Sequence, residues 1–259
     1  GTLLGEIATG QIGTSSAFEI QISIPGGSST SATTAELEAL VPPLAGVTVD
    51  ATAYTAVAGT DADIEDIITE GKVILDGDYT VDLTNSSISA SDMAVIIGDT
   101  SGAIDATDVT TLTGNVSDVS AVLAARSGQI SNLANVNVTF DNQSANATLA
   151  ANDVLTTEGG IGSGTVTASS SNFTATATNL GTFADAIAAS SISIGTNAAV
   201  DVTGNASVAN IVKMDAETGG VITATVSEQD TATLKTLTGS NALTITVATG
   251  NEAATDLTA

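Results

Sequence analysis

The chain has 259 residues, 42% hydrophobic and 2% aromatic, and carries 29 acidic residues against four basic ones, for a formal charge of −25. That balance excludes nucleic-acid binding, which needs clustered Lys and Arg to neutralise phosphates, and it repels anionic membrane surfaces. The absence of His and Cys excludes Ser-His-Asp and Cys-His catalysis, disulfides and His- or Cys-ligated zinc, while the apolar content excludes a disordered chain.

Runs rich in β-branched residues and Thr read as strands, starting in chain order near Ile20, Val47, Val73, Ala103, Val136, Thr165, Val200, Val221 and Leu243. Their spacing averages about 28 residues, the unit size of α/β-type solenoids. Between them, Ala-rich stretches with helical apolar spacing predict helices over Ala35–Val41, Asp63–Glu70, Ser91–Ile97, Val119–Ala125, Phe183–Ala189 and Ile211–Glu217. Thr60, Ser91 and Ser117, each one residue before an Asp, read as helix starts. Gly71, Gly98, Gly128 and Gly219-Gly220 read as stops.

Two phrases recur along this order. Val81-Asp82-Leu83-Thr84 returns as Val136-Asn137-Val138-Thr139, as Val200-Asp201-Val202-Thr203 and loosely as Leu243-Thr244-Ile245-Thr246. Gly102-Ala103-Ile104-Asp105-Ala106-Thr107 returns as Gly164-Thr165-Val166-Thr167-Ala168-Ser169 and as Gly220-Val221-Ile222-Thr223-Ala224-Thr225. Strand alternation turns both Val of Val-Asx-Val-Thr to the core and Asx and Thr to water. Ser117–Thr139 aligns without a gap to Gly181–Thr203, setting Ile130 on Ile194 and Val136 on Val200. A pair of coils, about 55–64 residues, is thus the expected larger unit.

The expected fold is a β-rich α/β repeat solenoid of parallel short strands, with short helices or turns on the return face. Residues 1–45, with Pro25, the loop Ser28–Ser31 and Pro42-Pro43, are expected to form an N-terminal cap or small module. Residues 46–259 form the repeats, clearest over 73–259. Asn251–Ala259 reads as the start of another turn and helix, so the stack is expected to continue or dock beyond residue 259. An opening Gly1 in place of Met is expected of a processed or excised segment. No apolar run reaches the roughly 18–20 residues that span a bilayer, so no membrane insertion is expected.

No enzymatic activity is expected. There is no Gly-x4-Gly-Lys phosphate loop, and a carboxylate pair for glycoside hydrolysis would sit in a chain with only six aromatic rings. No catalytic or cofactor-binding residue is assigned. Calcium is the sharpest chemical expectation: Asp61, Asp63, Glu65 and Asp66, and Asp76, Asp78 and Asp82, place hard oxygen ligands within short segments. Neither set has the EF-hand spacing or the Gly-Gly-x-Gly-x-Asp nonapeptide of calcium-loaded β-rolls. The alternative is that these Asp-rich turns cap helices and face solvent. Asn-x-Ser/Thr sequons begin at Asn85, Asn115, Asn137, Asn142, Asn146, Asn172 and Asn205, a weak signal in so Ser- and Thr-rich a chain.

Thr218–Thr225, Val109–Gly114 and Val122–Ala125, the last ahead of Val-Asn-Val-Thr, together resemble tandem repeats of very large bacterial surface proteins. Such repeats occur in marine cyanobacteria and in secreted adhesins associated with calcium-binding repeat families. The resemblance covers roughly Val73–Ala259, and the segment Asn142–Gly164 departs from it. It implies export, an extracellular or cell-surface location, and a structural or adhesive role. The expected function is an extracellular structural segment of a surface layer, filament or adhesin that self-associates through its solenoid ends. The alternative is a module that binds a glycan or another surface through one solenoid face.

Overall fold

Short β-branched segments pair in parallel with segments some 20 to 30 residues away, and short helices lie between them. The computed structural model describes residues 18–21, 30–40, 47–141, 148–228, 230–239 and 241–247. The fold is α/β, with parallel sheets and short helices. The chain divides into two units, Gly1–Thr113 with Ser117–Leu133, and Gly114–Val116 with Ala134–Ala259.

The first unit runs β1 (Phe18–Gln21), β2 (Ser31–Thr33), α1 (Thr34–Leu40), β3 (Val47–Asp50), β4 (Ala56–Gly59), α2 (Asp61–Glu70), β5 (Val73–Ile74), β6 (Thr80–Leu83), β7 (Ser87–Ser89), α3 (Ala90–Asp99), β8 (Ile104–Asp105), β9 (Thr111–Gly114), α4 (Val116–Ala125) and β10 (Ile130–Ser131). One sheet has the order β1-β3-β5 and a second the order β10-β8-β6-β4-β2, while β7 pairs with β9. In the second sheet Val57 pairs with Val81, Val81 with Ile104, and Ile104 with Ile130, all buried. The segments 18–21 and 31–33 pair directly with β3 and β4.

The second unit runs β11 (Asn137–Phe140), β12 (Thr148–Ala150), α5 (Ala151–Gly160), β13 (Val166–Ala168), β14 (Asn172–Thr176), α6 (Leu180–Ala188), β15 (Ile192–Ile194), β16 (Ala199–Ala206), α7 (Val208–Glu217), β17 (Ile222–Val226), α8 (Thr231–Leu234) and β18 (Leu243–Val247). Here β13 lies between β11 and β15, and a second sheet has the order β12-β14-β16-β17-β18. Phe173 and Phe183 pack with ring centroids 5.6 Å apart, joining β14 to α6 in the core.

The strand phrases alternate as their chemistry dictates. Val81 and Leu83 are buried around exposed Asp82, and Val136 and Val138 around exposed Asn137. The third copy breaks the rule: Val200 is buried but Val202 is half-buried. Between Asp201 and Asn205 the register shifts, and Gly204 turns to a φ of 85°, so the residues after Asp201 no longer keep step with β17. The gapless alignment also needs correction. Val138, not Val136, takes the place of Val200, because Val138 pairs with Val166 as Val200 pairs with Ile222. The offset is two residues, so every side chain keeps its face.

Thr60 caps α2, its Oγ1 accepting from the Asp63 N–H, and Gly71 ends that helix in the left-handed region. The cap of α3 is Ser89 rather than Ser91, and α4 starts at Val116, ahead of Ser117. Gly98 lies inside α3, which ends when the Thr100 N–H donates to the Ile96 carbonyl. Helix α5 falls in the drifted segment, where no helix was expected. Several strands that directly precede a helix were also missed, though β16 and β17 were expected near Val200 and Val221. The missed strands are short and run straight into a helix, as β2 into α1, β7 into α3 and β12 into α5, so they leave no period-2 signal of their own. Pro25, Ser28-Ser29, Pro42-Pro43, Asn142, Asn146 and Asn251–Ala259 lie outside the described residues.

Candidate functional site

The seven carboxylates expected to bind calcium are held by different elements. Asp61 opens α2 and is buried. Its Oδ1 accepts from Asn85 Nδ2 at 2.6 Å and its Oδ2 from the Ser89 N–H at 2.5 Å. Asn85 Nδ2 also donates to the Ser87 carbonyl at 2.5 Å. Asp61 therefore clamps the start of α2 to the cap of α3, and a buried carboxylate is stabilised by such donors. Asp63 lies in the first turn of α2, half-buried Glu65 and exposed Asp66 follow it, and Asp76 and Asp78 are exposed between β5 and β6. Asp76 Oδ1 accepts from the Gly77 N–H at 2.9 Å. Asp82 projects from the outer face of β6. Among the described residues, no group of three or more acidic side chains is placed to hold a metal ion.

Several sequon asparagines are engaged in the fold, among them Asn172, whose Nδ2 donates to Ser171 Oγ at 3.1 Å. Asn85 is the partner of Asp61, and Asn137 Oδ1 accepts from the Thr165 N–H at 3.0 Å and from Thr165 Oγ1 at 3.1 Å.

Sequence reasoning passed over a different carboxylate. Asp105 ends β8, and its Oδ1 accepts from the Thr107 N–H at 3.0 Å, Thr107 Oγ1 at 2.7 Å and Asn132 Nδ2 at 2.8 Å. Asp50 at the end of β3 makes the same hook with Thr52, at 3.1 Å to the N–H and 2.7 Å to Oγ1. The signal was the shared Asp-Ala-Thr, in which Ala51 and Ala106 are fully buried. The Asn132 and Thr107 hydrogen bonds hold the Asp105 carboxyl below the usual carboxylate range.

Asp105 lies in a groove of about 550 Å³ across the outer face of the five-stranded sheet of the first unit. Ala56, Ala58 and Ala103 leave its floor low, and Ser31, Thr80 and Ser131 supply hydroxyls. Asp82 and Asp105 are register partners on β6 and β8.

No protein-family model, curated protein or solved structure matches this chain.

Proposed function

We propose that the chain is a segment of a non-enzymatic extracellular structural protein, a solenoid with coils of about 28 residues that joins end to end in a surface layer, filament or adhesin. The observation that carries this reading is the pairing of each strand with one a turn of chain away. Thr110 Oγ1 donates to the Ser86 carbonyl 24 residues back, Thr80 Oγ1 to that of Thr55 25 back, and Thr203 Oγ1 to that of Ala175 28 back. Such pairing has no internal end, so each terminal strand is a template for another. Among the described residues β18 is the last strand of its sheet. On the face that packs inward in β17, its Leu243 and Ile245 are half-exposed and Val247 is 45% exposed. Likeness to bacterial surface repeats supports the placement outside the cell.

Sedimentation velocity tests the reading. Mutual repulsion at −25 opposes association at low salt. Oligomers are expected to grow with protein concentration and with NaCl as the repulsion is screened. A species that stays monomeric at high concentration in molar salt would overturn end-to-end joining, and retention of that monomer on a glycan array would favour a binding module instead.

A further inference from the structure

An Asn-x-Ser/Thr sequon is usable only where its asparagine amide is both exposed and uncommitted, and the fold separates the sequons on that ground. Asn85 Nδ2 is spent on Asp61 and the Ser87 carbonyl, Asn172 Nδ2 on Ser171 Oγ, and Asn137 is held to Thr165 through its Oδ1. Asn115 is half-buried and engaged as well. Asn205, which opens Asn205-Ala206-Ser207, is exposed and makes no side-chain hydrogen bond among the described residues. The backbone explains the difference. Thr203, Gly204 and Asn205 are exposed in succession, which strand alternation alone would not give. The break lies at the register shift between Asp201 and Asn205, where Gly204 takes its φ of 85°, and a bulge of this kind re-aims a side chain. Pairing with β14 ends at Thr176 and Thr203, so Asn205 has a register partner on the β17 side alone, Thr225. Two residues on, Ser207 caps α7 by accepting from the Asn210 N–H at 3.3 Å, a bond that leaves its own hydroxyl hydrogen able to donate. Enzymes that act on a folded chain reach such an exposed, half-paired corner before they reach a paired strand.

We propose that Asn205 is a site of N-linked glycosylation, with a lipid-pyrophosphoryl oligosaccharide as the sugar donor. Asn205 Nδ2 forms a bond to the anomeric carbon of the sugar, and the bond from that carbon to the pyrophosphate oxygen breaks. The proton lost by the amide passes to the transferase, and nothing is oxidised or reduced. The Ser207 hydroxyl is the second group that the transferase reads, which is why the motif demands Ser or Thr there. The inference rests on the extracellular placement proposed above, because sequon transfer acts on exported chains. It is compatible with end-to-end joining: β17 lies between β16 and β18, so a glycan at Asn205 leaves the terminal strand open.

The test is transfer to the folded, unmodified chain by an oligosaccharyltransferase that reads Asn-x-Ser/Thr, followed by mass mapping of the peptides released by cleavage before aspartate. The peptide that starts at Asp201 is expected to carry the glycan. Those that hold Asn85, Asn137 and Asn172 should stay bare, although free peptides of the same three sequons accept it. Asn205→Gln should abolish the transfer, and as an exposed change without a hydrogen bond to lose it should leave the thermal melt unmoved. Ser207→Ala should abolish it too, whereas Ser207→Thr, which keeps both the cap and the hydroxyl, should retain it. A bare Asp201 peptide in the folded chain would overturn the proposal, as would equal occupancy of the Asn85, Asn137 or Asn172 peptides. The chain taken from its own source gives an independent reading. If proteases added to intact cells reach it and Asn205 is bare, the site is overturned while the extracellular reading stands. If the chain lies inside the cell, the extracellular reading falls and takes the proposal with it.

Discussion

Gly102, Gly164 and Gly220 open the three copies of one phrase, and the structure gives them one shared task. A Cβ on Gly102 would strike the carbonyl of Tyr79, one on Gly164 that of Val136, and one on Gly220 that of Ala198, each in the neighbouring strand turn. The repeated glycine is the residue that lets its segment approach the neighbouring backbone closely. Gly220→Ala should therefore cost about 1–3 kcal/mol, the range for overpacking. Gly98→Ala, inside α3 with nothing within 4 Å of the new Cβ, should instead gain up to about 1 kcal/mol of helix propensity. Urea midpoints of the two variants check both signs. Asp105 makes a second prediction at this scale. Because its folded pKa is depressed by Asn132 first and Thr107 second, its contribution to stability is present above the ordinary aspartate range and is lost as pH falls through it. Carboxyl-carbon NMR should place its titration below about 3.9, the unperturbed aspartate value, and Asn132→Ala should raise it.

At the scale of the element, what could be read in advance depended on length and on burial on one side. The strands with Val-Asx-Val-Thr were legible because alternation and burial agree there, as at Val81 and Leu83. Helices were legible from Ile64 and Ile67 in α2, or Val119 and Val122 in α4. The first turns of α4, α6 and α7 were missed, although Val116, Leu180 and Val208 stand three residues before Val119, Phe183 and Ile211 and extend the same apolar period by one turn. The strand assignment carries its own test. Val200 is fully buried and pairs with Phe173 on one side and Ile222 on the other. Val200→Asp places an unpaired charge among them and should cost about 3–5 kcal/mol. Asp201→Asn, one residue along on the exposed face, should leave the melting curve near that of the parent. A parental melting temperature for Val200→Asp would remove β16 from the core.

For the whole molecule, 29 acidic residues against four basic ones set the physics of solution behaviour. Cations of any kind should stabilise the folded chain by screening. Since no acidic group of three among the described residues is placed to hold a metal, CaCl₂ should raise the melting temperature no more than equimolar MgCl₂. A shift specific to calcium would reveal a site that the described residues do not display, and it would return Asp61, Asp63, Glu65, Asp66, Asp76, Asp78 and Asp82 to consideration.

Composition and periodicity alone determined the α/β class, the parallel strands and the alternation of the Val81 and Val136 phrases, because these follow from local chemistry. Pairing decided the rest. The two-residue slip that puts Val138 in the place of Val200, the burial of Asp61 against Asn85 and Ser89, and the meeting of Asp82 with Asp105 join residues some 20 to 30 positions apart. A carboxylate reads the same in sequence whether it faces water, a helix cap or another carboxylate. Only the register of one parallel strand upon the next makes that distinction.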